Sequence, residues 1–158
     1  MSSHNTPLRI VALLFALLLS VASPAAANGS VEFLIESIDS SAIGGSAMIS
    51  EPLDGRAQLS VALDGLSSES AYQARLHAGT CQTPSASFGT LGTMAVAADG
   101  RGHVQTEQME AMGGRTMNLT LDLLADGDHV VVIVDLAANT AVACGPIPPA
   151  EGRENQRP

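Results

Sequence analysis

Few residues in this chain have chemistry to offer: two cysteines, four histidines and a cluster of methionines. Cys81 and Cys144 are an even pair, which in an exported chain are expected to form a disulfide. The alternative, two free thiols binding a metal, would have only one histidine nearby and would be an incomplete site. His77 follows Arg75 at a spacing of two, so on a strand both would lie on one face. Imidazole is a metal ligand, but a guanidinium is a donor-only cation and cannot ligate. His103 and His129 each flank a strand beside a turn, where a histidine is ordinarily solvated; only convergence with His77 would make the three a metal site. Met109-x-x-Met112, with Met117 five residues on, offers thioethers that suit copper(I). The simpler reading is that flexible methionines fill an irregular loop and barrel end.

Other chemistries lack their residues. No serine stands in a G-x-S-x-G elbow, and no glycine loop leads from a strand into a helix. Asn118-Leu119-Thr120 matches a glycosylation acceptor, but it falls in an expected strand, and so short a pattern arises often by chance.

The address is written at the N-terminus. Arg9 precedes the apolar run Ile10 to Val21, too short for a span of about twenty residues. Pro24 and Ala25-Ala26-Ala27 follow, so residues 1–27 read as a signal peptide cut after Ala27. The remaining residues, 28–158, carry six arginines, sixteen acids and no lysine, a formal charge of −10. Such a chain has no electrostatic reason to meet nucleic acid or an anionic membrane. No second apolar run follows, so no membrane span is expected in the mature chain.

The elements that must position these residues are strands. Apolar residues recur at period two, punctuated by Gly and Asp-Gly. Strands are expected at Val31–Ile38, Ala42–Ser50 with a bulge or bend at Gly44-Gly45, and Arg56–Leu63. Ala71–His77 follows, with Tyr72, Ala74 and Leu76 inward and Gln73, Arg75 and His77 outward. A Ser/Thr/Pro segment, 82–90, then leads to a hairpin from Leu91–Ala98 through Asp99-Gly100-Arg101-Gly102 to His103–Gln108. Residues 109–114 read as a loop, or at most one helical turn. Met117–Leu123 reads as a strand with Asn118, Thr120 and Asp122 outward. His129–Leu136, with its VVVIV run, reads as a central strand covered on both faces, and Ala141–Ile147 as the last. Seven or eight short strands imply an all-β Greek-key sandwich or barrel over residues 28–147, and 148–158 reads as a disordered tail.

The order of several short motifs resembles the copper/zinc superoxide dismutase-like fold and its non-catalytic CHRD-type relatives. These are Gly45-Ser46-Ala47, Val61-Ala62-Leu63-Asp64-Gly65-Leu66, Leu76-His77-Ala78-Gly79-Thr80-Cys81, Leu91-Gly92 with Ala98-Asp99-Gly100, and Ala143-Cys144-Gly145-Pro146-Ile147. The resemblance covers roughly residues 42–147 and implies an immunoglobulin-like sandwich whose Cys81 is tied to Cys144. The ligands it would imply are missing. Arg75 stands where a copper histidine would, Thr90 where a zinc aspartate would, and Ala141 where the anion-guiding arginine would. Val131 to Asp135 contains no histidine. Nine residues separate Cys81 from Leu91 and eight separate Asp135 from Cys144, so both functional loops are shortened.

The resulting expectation is a secreted or periplasmic, non-enzymatic domain acting as a binding or structural module, with no cofactor and no metal ligands. A protein or cell-surface partner fits it. The alternative is a copper or redox protein with a site rebuilt around His77, drawing on His103 and His129.

Overall fold

The alternation read from the sequence becomes an antiparallel sheet folded back on itself. The computed structural model describes residues 29–38, 41–52 and 54–150. Among them run β1 (Ser30–Ser37), β2 (Gly44–Ser50), β3 (Gln58–Asp64), β4 (Tyr72–Gly79), β5 (Pro84–Thr93) and β6 (Ala95–Val96). These are followed by β7 (Gly102–Thr106), β8 (Gln108–Ala111), β9 (Arg115–Asn118), α1 (Leu121–Leu124), β10 (His129–Asp135) and β11 (Thr140–Pro146). The strand order is β6-β7-β3-β2-β1-β11-β10-β4-β5-β8-β9.

Two halves are discernible, β6-β7-β3-β2-β1 and β11-β10-β4-β5-β8-β9. They join where the end of β1 meets β11, at the pairs Glu36–Cys144 and Ser37–Ala143. The sheet curls until β5 approaches β7: a Cβ on Gly92 would lie 2.8 Å from the Val104 side chain. Met94 N–H donates to the Tyr72 carbonyl at 2.9 Å, fixing that corner. The result is an all-β half-barrel or sandwich, as the period-two pattern implies.

The core follows from that alternation. Val31, Phe33 and Ile35 of β1, Leu59, Val61 and Leu63 of β3, and Tyr72, Ala74 and Leu76 of β4 all point inward and are buried. Val131 and Ile133 of β10 join them in the same core cluster. Each large aliphatic side chain removed from water contributes about 1.5–3 kcal/mol, so this shared face drives closure.

Several expectations are corrected. Eleven strands are found among the described residues instead of seven or eight. Gly44 and Gly45 pair regularly with Asp64 and Leu63, without a bulge; glycine is needed at 45 because a Cβ would strike the Ala62 carbonyl. Beyond Thr83 the Ser/Thr/Pro segment joins β5, paired with β4 through register shifts beside Arg75 and His77; Pro84 opens the strand, a position where its missing N–H costs nothing to the ladder. Residues 109–114 form β8 and a turn, whose Gly113 and Gly114 adopt φ of +93° and +76°. The strand expected at Met117–Leu123 ends at Asn118, and Leu121–Leu124 is a helical turn. Thr120 caps that turn, its Oγ1 accepting from Leu123 N–H at 3.2 Å. This lets Leu119, Leu121 and Leu124 all be buried.

The expected signal peptide lies outside the described residues, as does 151–158 of the expected tail. Ala150 is buried, and its N–H donates to the Ala125 carbonyl at 3.0 Å. Among the described residues no helix is long and apolar enough to cross a membrane.

Candidate functional site

The residues singled out in the sequence meet, in part, on the outer face of β4, β10 and β11. Strand β4 alternates as its sequence requires, so Gln73, Arg75 and His77 lie outward. Strand β10 is buried along Val130–Val134, with Val131 and Ile133 facing the core and Val130, Val132 and Val134 on the outer side. The outer three form a second, smaller apolar cluster with Cys144, against which Cys81 and Ala141 pack.

Over this cluster the chain is fastened covalently. Cys81 and Cys144 form a disulfide with their Cα atoms 5.7 Å apart, within the ordinary span of such a bond. Because Cys144 stands opposite Glu36 on β1 and Val132 on β10, the bond ties the segment after β4 to the seam between the two halves.

His77 is a tie of the same segment. Its Nδ1 lies 2.8 Å from the Ser85 carbonyl oxygen. A carbonyl only accepts, so Nδ1 carries the hydrogen. The ring's Nε2 is enclosed and has no hydrogen-bond partner. Arg75 reaches sideways instead of outward, its Nε donating to Gln73 Oε1 at 2.7 Å. Its strand neighbours are Val132 and Thr90.

His129 begins β10, opposite Ala78, one residue out of step with the His77–Val130 pair. Its Nδ1 lies 2.9 Å from Asp126 Oδ1, and the side chain is 11% exposed. Asp126 also accepts the Asp128 N–H at 2.8 Å. Burial acts to raise the Asp126 pKa, but the Asp128 N–H and His129 outweigh it and hold the carboxyl below its ordinary value. The Phe88 ring lies edge-on to the imidazole, with centroids 5.9 Å apart. The loop is fastened to β4 as well, since Gly79 N–H donates to the Asp128 carbonyl at 2.8 Å.

His103 does not join them. It sits exposed on β7, between Ala62 and Ala95. Ala95 adjoins Met94, which is bonded to Tyr72 at the start of β4. His77 is five residues further along that strand, about 17 Å at the usual rise. Among the described residues no three His, Cys, Asp or Glu side chains are grouped as an ion would need. The methionines also separate: Met109 is buried in the core beside Gly89, while Met112 and Met117 are exposed.

Between the disulfide and the Asp126–His129 loop opens a cleft of about 730 Å³. Glu36, Ser37, Thr80, Gln82 and His129 line it, with Cys81, Cys144 and Pro146 supplying apolar wall. Of these, the sequence marks His129 and the cysteines as candidate site residues and carries Thr80 and Pro146 within its motifs. Glu36 joins them through the β1–β11 pairing, a contact across more than a hundred residues that no local pattern announces. No protein-family model and no curated protein sequence matches the chain.

Proposed function

We propose that this is an exported, non-catalytic domain of the superoxide dismutase-like sandwich class, acting as a binding or structural module. The observation that carries the reading is the use made of His77. It is the one residue matching the copper ligand set, and its Nδ1 is hydrogen-bonded to the Ser85 carbonyl of β5 at 2.8 Å. A side chain so placed works as a fastener.

Further support comes from the neighbours of Arg75. Arg75 and Thr90, which stand where the resemblance would require a copper histidine and a zinc aspartate, pair on adjacent strands. The other neighbour of Arg75 is Val132, within the 131–135 stretch that holds no histidine. A guanidinium cation does not ligate a metal and a valine offers no donor, which supports a module without the dismutase copper site. The disulfide agrees with residence in an oxidising compartment.

A second reading, a copper site rebuilt around His77, draws on one observation, the enclosed Nε2 without a partner. Elemental analysis of the purified exported protein, followed by equilibrium dialysis against Cu(I) and Cu(II), decides between them. The module reading expects no stoichiometric copper or zinc and no superoxide-scavenging activity. Stoichiometric copper that is lost on His77→Ala would replace it with the copper reading.

A further inference from the structure

We propose that the cleft beside the disulfide binds an alkylammonium cation, with the Glu36 carboxylate as counter-ion; this rests on the module reading and names the ligand class it serves. Glu36 points outward from β1 at the cleft rim, and among the described residues no cation pairs with it. The chain contains no lysine, and none of the residues lining the cleft is an arginine. An exposed carboxylate in a concave site thus lacks an internal partner.

The opposite rim is formed by His129, whose Nδ1 is held by Asp126 Oδ1 at 2.9 Å. Glu36 stands level with Cys144, and His129 level with Ile147, whose N–H it accepts at 3.0 Å. Two strands across and three residues along place these rims about 14 Å apart between backbones. The disulfide lies between them, an apolar surface for an aliphatic stem.

The cleft is therefore negative at one end and apolar beside the disulfide. An ammonium group on a hydrocarbon chain matches both parts. An anion matches neither, and a bare divalent ion would lack a third ligand, since no three suitable side chains are grouped among the described residues. Two sources share this chemistry, a free polyamine and a lysine side chain in a peptide.

The test is an NMR titration of the isotopically labelled exported protein at low salt, with spermidine in one arm and Nα-acetyl-lysine amide in the other. Saturable millimolar shifts at the amides of Glu36, Thr80, Gln82 and Gly127 are expected, and the arm that saturates first identifies the source. Glu36→Gln should weaken binding about three- to fivefold, the range of an exposed ion pair, and Glu36→Lys should remove it. Glu32→Gln alters the net charge equally on the same face of β1 but outside the cleft, and should change nothing. Absence of shifts in both arms, or equal losses from the Glu32 and Glu36 variants, overturns the proposal. A null titration leaves the metal-free module reading standing, whereas stoichiometric copper would sink that reading whatever the titration shows.

Discussion

Opening the Cys81–Cys144 bond should cost this domain a large fraction of its stability. The two residues are 63 apart in sequence. In the chain-entropy account, closing a loop of that size in the unfolded chain stabilises the fold by about 4 kcal/mol. Small domains have only about 5–15 kcal/mol in total. For a chain of this length that corresponds to a fall of about 15 °C in Tm. The perturbation is the double variant Cys81→Ala/Cys144→Ala, compared with the intact protein and with wild type reduced by dithiothreitol. Urea unfolding followed by circular dichroism gives the difference. The slope m should also rise, because the unfolded chain without its cross-link exposes more surface. Reduction and double substitution should agree within about 1.5 kcal/mol, the substitution adding the lost packing of Cys144 in the valine cluster. A loss below about 1 kcal/mol in both, with unchanged m, would refute the argument that the bond acts by restraining the unfolded chain.

Three further outcomes are expected. Gly145→Ala places a Cβ 2.5 Å from the Leu34 carbonyl oxygen and 2.7 Å from the Ile35 side chain, at the seam between the halves. It should destabilise by about 1–3 kcal/mol, measured by urea unfolding, and a neutral result would mean that β1 and β11 can separate freely. Thr120→Ala removes the cap of α1 and should cost about 1 kcal/mol, read as a thermal shift. The Asp126 carboxyl, held below its ordinary value of 3.8, contributes stability that is fully present above that pH and is lost as pH falls through the lower folded value. Asp126→Asn should therefore flatten the acid limb of a stability–pH profile below about pH 4; an unchanged limb would remove Asp126 from the account.

Where strands bury one face, the sequence announced them. Tyr72, Ala74 and Leu76 against Gln73, Arg75 and His77 is a period-two pattern that only a strand can use. The valine run of β10 was equally plain, because a strand covered on both faces needs apolar residues at every position. Residues 117–123 misled because Met117, Leu119, Leu121 and Leu123 alternate perfectly. In so short a run the helical period is indistinguishable from the extended one. The signal that separates them is Thr120, whose hydroxyl can cap a turn three residues later. Strand β8 was hidden by its polarity and by the Gly113-Gly114 turn, which reads as a loop until β9 is seen to pair back. The candidate site was the least legible part. Cys81 and Cys144 could be paired from sequence, but Glu36, Phe88 and Asp126 reach the same face through contacts that local spacing does not encode.

The strand order has a consequence in time. β11, the last of the described strands, lies in the middle of the sheet between β1 and β10. Until it arrives, β1 and β10 each lack a neighbour, and the thiol of Cys81 has no partner. The meander β1–β2–β3 can form early from contacts close in sequence, but the two halves cannot close around it. Completion waits on a pairing that spans almost the whole described chain, the kind of long-range contact that slows folding to milliseconds or longer. The described fold stays open until β11 is inserted, and it is locked only when Cys144 is oxidised onto Cys81.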